Sequence, residues 1–231
     1  YKGALTQYMT HPEEWTYHIP EGMTTMEGAL VEPAAVGMHA AVLGGAQPGK
    51  SIVILGGGTI GLMVLQACIS LGATDITVVD VIEKRLELAK KLGAARVING
   101  KEEDTVAVLR SEEMYGDHGV DLVFEAAGAV FTAQQAVQIV SRGGKIMMVG
   151  TQSKPVPIDF LKINREVTIQ TSFRYCNNFP QTIEAISSGR FNVKDMVTNI
   201  YDYEDVQKAF EEAIDPVKKT EMVKGVIKVA E

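Results

Sequence analysis

The stretch that decides the fold of this chain runs Ile52-Val53-Ile54-Leu55-Gly56-Gly57-Gly58-Thr59-Ile60-Gly61-Leu62. Four apolar residues precede a G-x-G-x-x-G pattern, and the residues after it are typical of a helix. This order of buried strand, tight turn and helix N-terminus is the one that a dinucleotide-binding turn requires. Gly56 permits the turn, Gly58 leaves the backbone open to a pyrophosphate, and Gly61 lets the helix pack closely on the strand.

The helix that follows this turn predicts a phosphate site. Thr59 and Ile60 open the helix, whose free N–H groups and partial positive charge attract anions. A second apolar strand ends at Asp80, roughly 20 residues after Gly61. A carboxylate there accepts hydrogen bonds from both ribose hydroxyls and repels a 2′-phosphate. The sequence therefore predicts NAD rather than NADP as the cofactor, and the alternative is a glycine-rich turn without a ligand.

Composition limits the partners of the chain. Of its 231 residues, 46% are hydrophobic, which predicts a packed core, and the net charge of −7 argues against a nucleic-acid partner. The apolar runs are shorter than the roughly 18 residues that a transmembrane helix needs, so no membrane partner is expected. Cys68 and Cys176 are expected to be reduced and buried, which is typical of a cytoplasmic protein.

Alternating strands and helices predict a doubly wound parallel sheet, the Rossmann α/β fold, in the order 3-2-1-4-5-6. Before the sheet, Gly3–Met9 alternates like a strand, and a helix runs from about Thr25 to Val42, with Pro33 expected to kink or restart it. After residue 173 the pattern changes to a helix near 180–188, a strand near 196–201, a helix at 203–213 and a strand at 225–229. The predicted sheet strands lie near 51–55, 75–79, 95–98, 120–125, 144–149 and 167–172, and the helices between them near 60–71, 83–92, 102–114 and 131–141.

Loops at the carboxyl ends of these strands are expected to face the cofactor. Arg85, in the first turn after Asp80, is a candidate to stack beside the adenine, and the alternative is a solvated helix residue. Ala127-Gly128 follows the fourth strand and Val149-Gly150-Thr151 the fifth. Both loops are predicted to offer backbone groups to the nicotinamide, the alternative being purely structural turns.

Two further clusters could carry chemistry. Glu32, followed by proline in an apolar helix, is costly to bury unless it is paired or lies near a metal, and the alternative is an exposed acid at a helix start. His39 is expected to be a packed helix residue, so the chain is predicted to hold no complete metal site. Phe173-Arg174-Tyr175, at the end of the sixth strand, is suited to bind a hydroxylated or anionic ligand, unless Arg174 pairs with a structural acid.

Together these motifs resemble the zinc-dependent medium-chain dehydrogenase/reductase superfamily, and within it the polyol branch of sorbitol and xylitol dehydrogenases. The resemblance extends over essentially the whole chain, and the run Phe173–Asn177 is its most specific element. It implies a Rossmann domain flanked by parts of a GroES-like catalytic domain, with residues 1–29 and 193–231 as those parts and 30–192 as the NAD-binding domain. It also implies that the chain is N-terminally incomplete, because the Cys and the His-Glu pair that hold zinc in the family have no counterparts after Tyr1.

The activity that the resemblance implies is hydride transfer from a polyol secondary alcohol to NAD, assisted by Zn²⁺ in the intact protein, with this chain alone inactive. Glu32 would lie beside the zinc or its bound water as a candidate fourth ligand. Arg174 and Tyr175 would bind the other substrate hydroxyls, Phe173 and Arg174 would contact the cofactor, and Arg174 is further expected to reach Glu32. A homodimer or homotetramer joined through the Rossmann domains is implied. Two alternatives are a non-catalytic NAD-binding module and a dehydrogenase of another secondary alcohol, such as butanediol or threonine.

Overall fold

The centre of the protein is a six-stranded parallel sheet. The structure is a computed structural model that describes residues 3–163 and 166–229. The strands are β1 (Ser51–Leu55), β2 (Asp75–Asp80), β3 (Arg96–Asn99), β4 (Val120–Glu125), β5 (Val140–Met148) and β6 (Thr168–Thr171). Their order, β3-β2-β1-β4-β5-β6, is the doubly wound Rossmann order that the sequence predicts.

Alternate residues of the strands enter two separate cores, one on each face of the sheet. Ile52 and Ile54 belong to one core, whereas Val53 and Leu55, their neighbours on β1, belong to the other. Burial on both faces explains why these strands are almost continuously apolar. The helices of this region are α1 (Thr25–Gly44), α2 (Thr59–Ser70), α3 (Glu83–Lys91), α4 (Thr105–Leu109), α5 (Val130–Ile139) and α6 (Phe179–Ser187).

Helix α1 begins at a reciprocal cap and continues through its proline. The Thr24 hydroxyl accepts a hydrogen bond from the Glu27 N–H, and the Glu27 carboxylate accepts one from the Thr24 N–H. Pro33 lies buried inside the helix, and the predicted restart does not occur. A Cβ on Gly37 would overlap the backbone of Met63, so this glycine is what brings α1 into backbone contact with α2.

The C-terminal region forms a second, smaller sheet. Its elements are β7 (Val197–Asp202), α7 (Val206–Ile214), α8 (Lys218–Glu221) and β8 (Lys224–Lys228), and β7 pairs with β8 in parallel. The predicted helix and the two predicted strands of this region are therefore present. The division into parts 1–29, 30–192 and 193–231 stays a prediction, and residues 1–2 and 230–231 of its outer parts lie outside the described residues.

Three predicted elements differ from the structure. The strand expected over Gly3–Met9 is absent: described residues 3–20 contain a single 3-10 turn at Glu13–Trp15, because no described strand lies beside them to pair with their N–H and C=O groups. The helix expected over 102–114 is only α4, which begins after its N-cap Asp104 and ends at Leu109, because Arg110, with φ of −93° and ψ of 0°, leaves the helical backbone.

The third difference is at the junction of α5 and β5. The helix expected to continue to residue 141 ends at Ile139, because Val140 has an extended backbone and pairs with Val120 as the first residue of β5.

In the described part of the chain, no helix combines the length and the apolar character needed to cross a membrane.

Candidate dinucleotide-binding site

The glycine turn between β1 and α2 is packed backbone against backbone. Gly56 has φ of 109°, which favours glycine, and its N–H donates to the Val79 carbonyl at 2.7 Å. A Cβ on Gly61 would overlap the Gly56 carbonyl oxygen. The glycines at both positions therefore allow the turn to close tightly onto the first turn of α2.

The N-terminus of α2 is open in front of this turn. Gly58 is the N-cap residue, and no side chain caps the helix there. A Cβ on Gly58 would meet only an Arg85 nitrogen, 3.9 Å away. Free N–H groups at the positive end of a helix, with no side chain in the way, fit the pyrophosphate of a dinucleotide.

Asp80 ties the end of β2 to the turn. Its Oδ2 accepts a hydrogen bond from the Gly57 N–H at 2.7 Å, and its Oδ1 accepts from the N–H groups of Val81 and Ile82 at 2.7 and 2.9 Å. Arg85 Nη1 lies 3.7 Å from Oδ2 and offsets the charge of this buried carboxylate. The acid predicted to bind ribose is thus held in a fixed position beside the turn.

A cavity of about 410 Å³ lies next to Asp80, between the carboxyl ends of β2 and β4. Gly58, Arg85, Thr105 and Phe131 are among its lining residues. Arg85 Nε and Thr105 Oγ1 are buried there without a hydrogen-bond partner in the described protein. A cavity of this size with polar groups left unpaired fits the adenosine half of a dinucleotide.

Glu125, the last residue of β4, organises the loops on the other side of the crevice. Its side chain is fully buried. Oε1 accepts hydrogen bonds from the N–H groups of Ala127 and Gly128 at 3.0 and 2.9 Å and from Thr132 Oγ1 at 2.7 Å, whereas Oε2 accepts from Gln152 Nε2 at 2.7 Å. The sequence places Glu125 in the run Phe124–Gly128 that is predicted to face the cofactor, but it does not indicate that the Glu125 side chain binds both loops.

The loop after β5 is bound to the same residue through the backbone. The N–H groups of Val149 and Gly150 both donate to the Glu125 carbonyl oxygen at 2.8 Å. Of the backbone groups of Val149 and Gly150, only the carbonyls remain for a ligand. The predicted role of the loop Val149-Gly150-Thr151 is therefore limited, at its first two residues, to accepting hydrogen bonds. Gly128 has φ of 68°, and a Cβ on it would lie 2.6 Å from the Thr151 carbonyl oxygen, so the two loops touch.

Beyond β6 the chain is irregular. The strand ends at Thr171, and Arg174 and Asn177 have φ of 51° and 53°. The Phe173 ring is 80% exposed, and the Arg174 guanidinium lies 5.4 Å from its centre. Because the strand has ended, neighbouring side chains of this run are not forced onto opposite faces of the sheet.

Comparison with known proteins agrees with this geometry. The family model described as zinc-binding dehydrogenase matches residues 59–188, which include α2, Asp80 and the loops tied by Glu125. The chain belongs to the zinc-binding dehydrogenase family. The family is part of the medium-chain dehydrogenase superfamily, as the sequence motifs predict.

Three relatives illustrate how similar this chain is to known members of the family. It is 62% identical to the zinc-type alcohol dehydrogenase-like protein YdjJ of Escherichia coli, over 100% of this chain and 65% of that protein. Sorbitol dehydrogenase of Bacillus subtilis is 39% identical, over 92% of this chain and 60% of that protein. A crystal structure of an Escherichia coli oxidoreductase of unknown specificity has a TM-score of 0.96 at 61% identity, and covers 100% of this chain and 65% of that one. The chain thus spans less than two thirds of these relatives.

Tyr175 rather than Arg174 is the neighbour of Glu32. Burial and then the Glu32 carboxylate raise the pKa of the Tyr175 phenol, whose ring packs edge-on against Phe179 at 4.8 Å. The prediction that Arg174 reaches Glu32 is wrong, because among the described residues Arg174 forms no ion pair and instead lies over the Phe173 ring. Glu32 itself is exposed on α1.

The described residues do not supply a zinc site. Over residues 3–163 and 166–229, no group of three His, Cys, Asp or Glu side chains is arranged to hold a metal ion. Cys68 is buried, and burial raises the pKa of its thiol. Cys176 is exposed, so its predicted burial is wrong, because it lies in the irregular run after β6. Glu32 alone does not fit a zinc ion.

Residues from the C-terminal region meet the phosphate turn. The Thr59 hydroxyl donates to the Val223 carbonyl, and Ile60 beside it is half-buried. Arg85 Nη2 donates to the Lys219 carbonyl at 3.4 Å, and Lys84 pairs with Glu221. The segment 218–223 therefore runs across the first turns of α2 and α3, a contact that local sequence patterns did not indicate.

Proposed function

We propose that the full-length protein is an NAD-dependent oxidoreductase that transfers a hydride from a secondary alcohol of a polyol to NAD. The observation that supports NAD as the cofactor is the position of the Asp80 carboxylate. It is hydrogen-bonded to the Gly57 N–H and lies beside the uncapped N-terminus of α2. The observation that favours a polyol is the run Phe173–Asn177, which offers donors at the carboxyl edge of the sheet. The relationship to a sorbitol dehydrogenase supports the same substrate class.

The residues present fit NAD. Free N–H groups of α2 behind Gly58 would bind the pyrophosphate, and Asp80 would accept the hydroxyls of the adenosine ribose. The cavity that contains Arg85 Nε and Thr105 Oγ1 would take the adenosine. When bound, NAD supplies the carbon that accepts the hydride.

The side chains after β6 would bind and orient the substrate. Arg174 offers a fork of up to about five N–H donors to neighbouring hydroxyls. The raised pKa of Tyr175 keeps its phenol protonated at neutral pH, so it donates a hydrogen bond and does not remove a proton. The exposed Phe173 ring would pack on the nicotinamide side of the crevice and exclude water from it.

Zinc belongs to the proposal for the whole protein only. The described residues offer Glu32 as one candidate contact and no set of three ligands. We therefore propose that this chain by itself binds NAD and does not oxidise a polyol. We also propose a dimer or tetramer joined through the Rossmann domains, since β6 is an edge strand with Ile169 partly exposed. A cytoplasmic location is proposed because Cys68 and Cys176 are both free thiols.

Spectroscopy and calorimetry test this proposal. We expect the full-length protein to bind NAD more tightly than NADP, and to form NADH with sorbitol or xylitol faster than with butanediol or threonine. Tighter binding of NADP would overturn the role of Asp80. Faster turnover of butanediol or threonine would move the protein to another secondary alcohol.

The second candidate is a non-catalytic NAD-binding module, which the lack of a metal-binding group in the described residues favours for this chain. It predicts NAD binding without any NADH formation by the full-length protein. Polyol oxidation by the 231-residue chain alone would contradict the non-catalytic module. It would also contradict the proposal that this chain by itself binds NAD without oxidising a polyol.

A further inference from the structure

Glu125 has more hydrogen bonds than a strand end requires. A carboxylate removed from water is costly unless its oxygens are bonded, and this fully buried one is surrounded by four uncharged donors at 2.7–3.0 Å. Three donors come from the loop after β4 and the first turn of α5. The fourth, Gln152, comes from the loop after β5. The Glu125 carboxylate therefore joins the loop after β4 to the loop after β5, where Gln152 lies 27 residues further along the chain.

These loops occupy the half of the crevice opposite Asp80. In a doubly wound sheet each half binds one mononucleotide, and the halves meet where the strand order reverses, here between β1 and β4. Asp80 places the adenosine ribose at β2. The nicotinamide half then falls to the carboxyl ends of β4 and β5, where the two loops joined by Glu125 lie.

The orientation of Gln152 follows from its partner. Glu125 Oε2 accepts the hydrogen bond, so the Gln152 amide presents Nε2 to Glu125. Its Oε1 is buried without a hydrogen-bond partner in the described protein. The side-chain amide of Gln152 is thus held by this one bond, at 2.7 Å.

We infer that Glu125 is a positioning residue for the nicotinamide half of the cofactor, and that its bond to Gln152 fixes the loop after β5 against the loop after β4. The inference rests on the proposed function, since it requires NAD to occupy the crevice. Glu125 acts through the loops and does not itself touch the cofactor. The Glu125 backbone carbonyl binds the N–H groups of Val149 and Gly150, and the Glu125 side chain binds Gln152 two residues further on, so the carbonyl groups of Val149 and Gly150 are held in place before the ligand arrives.

The experiment compares NAD with ADP-ribose, which lacks the nicotinamide. In the full-length protein, Gln152→Met removes the side-chain bond to Glu125 and leaves the backbone bonds of Val149 and Gly150 in place, whereas Glu125→Met removes all four side-chain bonds of the carboxylate. We expect calorimetry to show that each variant binds NAD about tenfold more weakly while ADP-ribose changes by less than about twofold. Gln138→Met, in the last turn of α5 with its amide bonded to its own helix, is the matched control and should change neither.

A reversed pair tests whether the hydrogen bond itself matters. In Glu125→Gln/Gln152→Glu the amide donates to the carboxylate in the opposite direction, and we expect NAD affinity to recover at least in part. Equal weakening of NAD and ADP-ribose in Gln152→Met would reduce Glu125 to a general structural residue. Unchanged NAD binding in that variant would overturn the inference outright. If the unmodified protein bound neither ligand, the proposed function would fail instead, which is a different result.

Discussion

Gly57 donates its backbone N–H to Asp80 Oδ2 at 2.7 Å, so the phosphate turn and the end of β2 share one carboxylate. The other oxygen of Asp80 accepts two further backbone N–H groups. Asp80 therefore shapes the turn even before a ribose is present. Any change at Asp80 acts both on the ligand and on the turn that receives it.

Asp80→Ala should weaken NAD binding by at least about tenfold, because a hydrogen bond to a charged acceptor contributes roughly 1.5–3 kcal/mol. It should also relieve the exclusion of NADP, since the charge that repels a 2′-phosphate is removed. Calorimetric titration with both cofactors measures this. Asp121→Ala is the matched control, because Asp121 accepts two hydrogen bonds from Ser51 at the amino ends of β1 and β4, away from the carboxyl ends that form the crevice. Unchanged NAD affinity in Asp80→Ala would remove Asp80 from the site.

Gly58→Ala and Gly61→Ala should separate cofactor binding from stability. A Cβ on Gly58 has open space in the free protein but would block the pyrophosphate, so NAD binding should be lost while unfolding changes by less than about 1 kcal/mol. A Cβ on Gly61 overlaps the Gly56 carbonyl and should cost about 2 kcal/mol or more. Chemical denaturation and NAD titration of both variants measure this. Equal stability of the two variants would contradict the close contact at Gly61.

Arg174→Ala in the full-length protein should lower kcat/KM for a polyol by about 100-fold, if roughly 3 kcal/mol of charged hydrogen bonding is lost. A simple secondary alcohol has no second hydroxyl to lose and should be affected much less. Steady-state kinetics with both substrates check this, with Arg142→Ala, an exposed arginine of β5, as the control. An equal drop for both substrates would assign Arg174 to maintenance of the site rather than recognition.

The pKa of Tyr175 should fall when Glu32 is neutralised. Burial and the Glu32 carboxylate raise this pKa, so the folded protein favours the protonated phenol. The stability that this adds is present at pH below the ordinary pKa of about 10 and is lost as the pH rises through the folded-state value. The phenolate absorbance of Tyr175 is obtained as the difference from a Tyr175→Phe variant. It should show that Tyr175 titrates at lower pH in Glu32→Gln than in the unmodified protein. An unchanged titration would separate the two residues.

The sequence was sufficient for the sheet because local signals and burial agree there. Strands such as β1 are apolar throughout, and Gly56–Gly61 fixes the turn between β1 and α2, so order and direction follow. The helix predicted over 102–114 was too long, because a side-chain cap at Asp104 sets its start and a change of backbone conformation at Arg110 ends it, and periodicity reports neither. The strand predicted over Gly3–Met9 failed because pairing depends on a neighbour, which periodicity does not report.

Within the site, the sequence predicts residues that lie next to a motif, but it does not predict contacts between loops that are distant in the chain. Asp80 was identified from its place after a strand, whereas the bond between Glu125 and Gln152 depends on how two loops meet in space. Likewise, Arg174 was predicted as the partner of Glu32 because a buried carboxylate needs a cation, whereas Glu32 is exposed. The Arg174 guanidinium lies over the Phe173 ring, and the Glu32 carboxylate acts on Tyr175 instead.

The contact between Thr59 and Val223 joins residues 164 positions apart. During synthesis on the ribosome, all six strands of the large sheet have been made once Thr171 has emerged. The first residue of α2 gains its partner only after α7 and α8 have followed. The phosphate turn can therefore form before α7 and α8 are made, whereas the hydrogen bond from Thr59 to Val223 is added only after them.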